Sequence, residues 1–267
     1  MTVPYGCQES MLHAMLEALI FDVDGTLADT ERDGHRPAFN AAFAEAGLAW
    51  RWDEALYGEL LAVTGGKERM RFYCEHHDPA FLRQADAEQR IKALHEAKTR
   101  HYLELLAAGG IPLQPGVARL LREAHGAGLR LAIATTTTPE NVTALLPAEL
   151  MALFEIVGAG DTVARKKPAP DIYSWVLAQL GLQPSACLAF EDSGNGLKAS
   201  LGAGLPTLVT ISEYTQDHDF AGALAVLSDL GEPGRPGVVH NGTMHDRTLV
   251  DLDLLRIWHR ESIRQTL

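Results

Sequence analysis

The sequence predicts an α/β protein: a doubly wound parallel sheet with a helical cap domain inserted after its first strand. Three observations predict it. Beyond residue 112, short apolar runs alternate with helix-period segments, the pattern of parallel strands joined by right-handed crossovers. Residues 33–107 carry no strand signal but show helical repeats such as AFNAAFAEAGL and IKALHEAKTRHYLELLAA. Acidic, hydroxyl and cationic residues follow the apolar runs, where parallel sheets place ligand chemistry.

The elements follow in order. Residues 1–14 (MTVPYGCQESMLHA) have no clear periodicity and are expected to form a loose extension. From Leu16 an apolar run ends in Ala18-Leu19-Ile20-Phe21, too short for a helix and closed by Asp22, so a buried strand should end there. The helical cap, residues 33–108, is left through Gly109-Gly110-Ile111-Pro112, a stretch that suits a hinge. Residues 15–32 and 109–267 are then the core domain. Within it we expect helices near 118–127, 140–146, 171–180 and 194–203, and strands at 129–134, 156–157, 187–190 and 207–211. Residues 231–245 (GEPGRPGVVHNGTMH) should form an irregular surface loop.

Composition narrows the function. A chain of 267 residues that is 46% hydrophobic can bury a full core and a smaller second domain. Its formal charge of −12 disfavours nucleic acid and anionic membrane as partners, so an anionic substrate must be held by local cations. No apolar stretch approaches the roughly 18 residues that span a bilayer, and no basic segment precedes an apolar run at the start. A soluble cytoplasmic protein is expected, with no obligate protein partner evident. Cys7, Cys74 and Cys187 are odd in number and widely spaced, which fits free thiols.

Asp22-Val23-Asp24-Gly25-Thr26 places two carboxylates just past a buried strand, with Gly25 permitting a sharp turn. A calcium loop would need Gly at its sixth position and usually Glu at its twelfth, where this chain has Leu27 and Asp33. Thr135 and Thr136 follow the second core strand, where hydroxyls and backbone N–H groups suit a phosphate; helix capping is the alternative for any threonine of 135–138. Lys167, in Arg165-Lys166-Lys167-Pro168-Ala169-Pro170-Asp171, precedes a proline that favours extended backbone, so its ammonium can project into a site. Asp171 reads as a helix cap. Glu191-Asp192 again puts two acids after an apolar strand. Hard oxygen ligands from two strand ends can hold an octahedral Mg2+.

The order Asp-x-Asp, Thr, Lys, Glu-Asp, spread over residues 18–196, resembles the haloacid dehalogenase superfamily of phosphotransferases. That resemblance implies Asp22 as nucleophile and Asp24 as acid/base. It implies Thr135, Thr136 and Lys167 as phosphate binders, and Asp22, Asp24, Glu191 and Asp192 around Mg2+. Attack by a carboxylate on phosphate brings anions together, which a metal ion and an ammonium offset. A receiver-type signalling domain also combines acids, Thr and Lys. Such domains are shorter, lack a cap and have no counterpart of Glu191-Asp192.

Within the insert, Thr64-Gly65-Gly66-Lys67-Glu68-Arg69 and later Lys98 can clamp a second phosphate through backbone N–H groups and ammoniums. Ordinary helix-surface charge is the alternative, and it is the expectation for Arg69 and Arg100. At these residues the sequence is similar to β-phosphoglucomutase. Through Trp52-Asp53, Tyr57, 64–69, Lys98-Thr99, 167–171, 219–231 and 250–258 it is similar to CbbY-type sugar bisphosphate phosphatases, which act on xylulose-1,5-bisphosphate. The resemblance implies a Mg2+-dependent sugar phosphate phosphatase, with a hexose phosphate mutase as the near alternative. Its substrate-binding residues would be Glu31, His35, Gly66, Lys67 and Lys98. Arg32-Asp33-Gly34 makes the chain one residue longer than the CbbY pattern just before His35. His76, His77, His95 and His101 lack ligand-spaced partners and are expected on exposed helix faces, whereas Trp50, Trp52 and Tyr57 should pack the cap.

Overall fold

The computed structural model describes residues 15–109 and 111–266, so the expected extension 1–14, Cys7 and hinge residue Gly110 lie outside the described residues. Seven strands form one sheet: β1 (Ala18–Phe21), β2 (Arg130–Ala134), β3 (Phe154–Gly158), β4 (Cys187–Glu191), β5 (Thr207–Thr210), β6 (Ala225–Leu227) and β7 (Val239–Asn241). Their spatial order is β3-β2-β1-β4-β5-β6-β7. Pairing is parallel as far as β6, and β7 is antiparallel.

The order places β1 at the switch point, with β2 on one side and β4 on the other. Phe21 is in register with both Ile133 and Phe190. The residues that follow these three strands therefore meet at one edge, the place where open α/β sheets bind ligands.

Strand residues alternate between two faces because side chains in a strand point to opposite sides. Leu19, Phe21, Leu131, Ile133, Leu188 and Phe190 pack beneath helices Val117–Gly126 and Leu252–Thr266. Phe21 stacks on Phe190 with ring centroids 4.3 Å apart. The opposite face is built of smaller residues, Ala18, Ala132, Ala134 and Ala189, against helix Asp171–Leu180.

Between β1 and helix Val117–Gly126 the described chain is mostly helical, with helices Arg36–Glu45, Glu54–Leu60, Gly66–His77, Pro79–Leu82 and Ala87–Ala107. They enclose a separate aromatic cluster containing Phe39, Phe43, Trp52, Tyr57 and Phe81. Trp52 and Tyr57 are fully buried there, and half-buried Trp50 packs on Phe81 at 4.7 Å.

Glu31–His35 forms a π-helical turn, closed by the Arg36 N–H donating to the Glu31 carbonyl. A π turn holds one more residue than an α turn. The chain passes from this turn directly into the helix that starts at Arg36.

Gly34 lets that turn pack closely against Ile111 and Tyr102. A Cβ there would lie 2.5 Å from Ile111 Cδ1 and 2.6 Å from Tyr102 Cε2. Gly34→Ala should lower stability by about 1–3 kcal/mol through overpacking. Gly126→Ala meets nothing within 4 Å and serves as the control. Matching thermal melting of the two variants would refute the packing argument.

Two expectations need correction. The segment 231–245 is not wholly irregular, because it contributes β7, whose three residues are all exposed and too few to show a strand period. Helix Leu252–Thr266 and short β6 had no place in the sequence-based order of elements. Cys74 and Cys187 are buried free thiols. No described helix is long and apolar enough to cross a membrane.

Candidate active site

Asp22 follows β1 directly and is tied into the sheet by its N–H donating to the Phe190 carbonyl at 3.0 Å. Lys167, whose peptide bond to Pro168 is cis, reaches it from the loop before helix Asp171–Leu180. Its ammonium donates to Asp22 Oδ1 at 2.6 Å, Glu191 Oε1 at 2.6 Å and the Ala134 carbonyl at 2.8 Å. Burial alone would lower the Lys167 pKa, but the two carboxylates raise it above the ordinary lysine value. The group therefore stays charged.

One ammonium faces three carboxylates. Oxygens of Asp22, Glu191 and Asp192 all lie within 4.8 Å of one another, and all three residues are buried. Burial pushes the Asp22 carboxyl up to about 7 against the pull of Lys167, with Glu191 and Asp24 adding to the rise. Burial, then Asp22 and Glu191, raise Asp192 well above the carboxylate range.

The donor set fits a divalent cation with a preference for hard oxygen ligands. Glu191 Oε2 is buried without a hydrogen-bond partner. Gly25, at φ +87°, lets the loop close so tightly on Asp192 that a Cβ would fall 2.1 Å from its Oδ2. Among the described residues, Asp22, Glu191 and Asp192 are thus the group able to hold a divalent cation.

The Asp24 carboxylate turns away from this cluster. Its Oδ1 accepts from Thr30 Oγ1 at 2.6 Å and pairs with His35 Nε2 at 2.9 Å. His35 Nδ1 lies 2.8 Å from Lys98 Nζ. An ammonium can only donate, so Nδ1 accepts and the Nε2–H donates to Asp24. Burial would raise the Asp24 pKa, yet His35, Thr30 and Lys98 hold it well below the usual value. Lys98 is pushed down to about 8, chiefly by burial.

Thr135 is buried, and its Oγ1 accepts the Thr137 N–H at 3.3 Å. Thr138 caps helix Pro139–Leu145, leaving Thr135 and half-buried Thr136 along the cleft. The capping alternative thus applies to Thr138. Asp171 is no cap: it opens its helix and pairs with Arg165 at 2.8 Å.

The cleft beside Asp22 encloses about 390 Å³, and a second of about 360 Å³ adjoins it, sharing Asp24, Glu31, Gly65, Arg69 and Thr136. Gly66, Lys67, His35 and Lys98 line the second. Lys67 is partly exposed and sits 3.6 Å from Asp161. Glu31 accepts from the Tyr57 hydroxyl.

Arg69, expected as surface charge, is 7% exposed. It donates to the Tyr57 hydroxyl at 2.8 Å and lies 3.7 Å from Glu31. The helical period held the clue, since Arg69 shares a stripe with Gly66 and Tyr73. Arg100 does lie on the surface, paired with Glu45. Asn195 also escaped notice. It reaches from the Glu191-Asp192 loop to the Ala62 carbonyl at 3.2 Å and Thr64 Oγ1 at 3.3 Å in the helical insert.

His95, expected to be exposed, is largely buried along the second cleft. Burial and then the ammoniums of Lys98, Lys67 and Lys166 push it down to about 4. The folded state thus binds fewer protons than the unfolded chain between pH 4 and 6.5, and stability is lost as pH falls through that window. Denaturant titrations at pH 7 and pH 4 should show wild type losing about 2–3 kcal/mol more than His95→Gln. Equal losses would contradict the assignment.

Comparison with known proteins gives a consistent picture. A family profile described as haloacid dehalogenase-like hydrolase matches residues 16–204. Protein CbbY, plasmid, of Cupriavidus necator is 53% identical, over 93% of this chain and 98% of that protein. The phosphorylated carbohydrates phosphatase of Thermotoga maritima is 30% identical, over 79% of this chain and 94% of its own. A crystal structure of a CbbY mutant from Rhodobacter sphaeroides in complex with xylulose-(1,5)bisphosphate has a TM-score of 0.74 and 47% identity, over 80% of this chain and 95% of that one.

Proposed function

Because this chain belongs to the haloacid dehalogenase-like hydrolases, we propose that it hydrolyses a sugar bisphosphate, xylulose-1,5-bisphosphate first among candidates, through a phosphorylated Asp22. That it is a phosphatase acting on a small sugar phosphate follows from its family and its named relatives. The finer reading rests above all on one arrangement. A buried carboxylate paired with an ammonium opens onto a cleft whose continuation carries Arg69, Lys67 and Lys98.

In this reading residues 33–108 are the cap, and residues 15–32 with 109–267 are the core. The reacting phosphate lies beside Asp22, Lys167, Thr135 and Thr136, and the distal phosphate lies toward Lys67 and Arg69. Glu31 and His35 face the sugar between them. Asp22 Oδ attacks phosphorus, and Asp24 protonates the departing sugar oxygen. Asp24 then takes a proton from the water that cleaves the aspartyl phosphate. Asp24 must enter the first step protonated, carrying the proton taken from water in the preceding turnover, and His35, Thr30 and Lys98 favour the carboxylate it becomes, the form the second step requires. Lys167 offsets the charge that gathers on the phosphoryl oxygens. Mg2+ held by Asp22, Glu191 and Asp192 would supply further positive charge when bound.

Phosphate release should be screened over sugar mono- and bisphosphates with Mg2+ present, including xylulose-1,5-bisphosphate. A bisphosphate is expected to be the best substrate, and the absence of release from every sugar phosphate would overturn the reading. Chelation should stop turnover reversibly, and Asp192→Ala should raise the Mg2+ concentration needed for half-maximal rate by at least about tenfold. Activity indifferent to both treatments would remove the metal from the reaction.

A further inference from the structure

Helix Asp171–Leu180 carries a polar group that the reaction above leaves unused. Tyr173 is fully buried on the small-residue face of the sheet, among Ile172, Val176 and Ala189. Its hydroxyl donates to Glu191 Oε1, the same oxygen that accepts Lys167 Nζ at 2.6 Å. Lys167 Nζ also lies 5.1 Å from the centre of the Tyr173 ring. The second Glu191 oxygen, Oε2, is buried and has no hydrogen-bond partner.

Two donors thus converge on one oxygen of this carboxylate. The terminal torsion of a glutamate is broad and roughly two-fold, so one flexible donor does not fix which oxygen faces which way. Lysine is such a donor, a compact charge with three rotatable N–H bonds on a long stem. The phenol is different. Its ring is locked by packing, so its O–H meets Glu191 from a fixed direction.

We propose that Tyr173 is a positioning residue for the acidic cluster: with Lys167 it pins Glu191 Oε1 and so fixes the orientation in which this carboxylate stands beside Asp22 and Asp192 as a ligand for a divalent cation. The proposal rests on the reading of Asp22, Glu191 and Asp192 as a Mg2+ site. Partners that orient a ligand carboxylate typically contribute about 10–100-fold to metal affinity.

The test is Mg2+ binding to metal-stripped full-length protein by titration calorimetry, with Tyr173→Phe keeping the ring and removing only the hydroxyl. Thermal melting of the metal-free variant checks that the fold is retained. Tyr173→Phe should weaken the Mg2+ Kd by about 10–100-fold. In a Glu191→Gln background the same change should alter Kd by less than about twofold, because the oriented carboxylate is already gone. An unchanged Kd in Tyr173→Phe overturns the proposal. An equal loss in both backgrounds also overturns it, by placing the effect in helix packing. A wild-type protein that releases phosphate yet binds no Mg2+ overturns the metal reading and this proposal with it. The expected pattern of Kd values in a protein inactive on every sugar phosphate supports the positioning role and defeats only the proposed substrate.

Discussion

Asp22→Asn should abolish phosphate release, with kcat falling by at least roughly 10⁴-fold, because an amide cannot form the acyl phosphate and removing a nucleophile removes the whole pathway. The same substitution should not harm the fold. Burial pushes the native Asp22 carboxyl up to about 7 from an ordinary value near 3.8, so the folded state binds more protons than the unfolded chain between those values. Metal-free wild type therefore loses stability as pH rises through that window, by a few kcal/mol as an order of magnitude. The asparagine has no charge to bury. Metal-free Asp22→Asn should then melt no lower than wild type at pH 8, while its activity is lost. Wild-type turnover in this variant would remove Asp22 from the chemistry. A lower melting temperature at pH 8 would instead show that the pair with Lys167 outweighs the repulsion among the acids.

Lys167→Met should be the most damaging substitution for the folded state. The ammonium fills three hydrogen bonds and is the direct counter-charge for Asp22 and Glu191. Methionine keeps much of the stem but leaves buried carboxylates unpaired, a loss of about 3–5 kcal/mol. Activity should fall by about 10²–10³-fold or more, since a group that stabilises charge in the transition state is gone. Two controls identify the cause. Lowering the pH should narrow the stability gap, because protonated carboxyls no longer need the ammonium, and saturating Mg2+ should narrow it as well. A gap independent of both would mean that Lys167 matters through packing alone.

Much of the core was legible because its information is local. A buried strand must be apolar, the residues that end it are free to be polar, and the period changes where a helix begins. Those rules place Asp22, Thr135, Lys167 and Glu191 at strand and loop ends from the sequence alone. The helical insert was legible in its existence and its aromatic packing, since Trp52 and Tyr57 bury in any close-packed helical unit.

What remained hidden depends on which surfaces meet. Arg69 and His95 look like helix-surface residues until Glu31, Tyr57 and the facing loops close over them. The hydroxyl of Tyr173 is indistinguishable from core packing until β4 brings Glu191 against it. β7 is a three-residue exposed edge strand inside a Gly- and Pro-rich segment, too short to show a period. The contact of His35 with Asp24 depends on a π-helical turn that no local sequence signal announces. The sequence by itself determined the doubly wound fold and the order of the charged motifs, because burial and period act over a few neighbours. Only the tertiary structure decided which oxygen each cation holds and which side chains share the cleft. Those pairings join residues up to 145 positions apart, and nothing local constrains them.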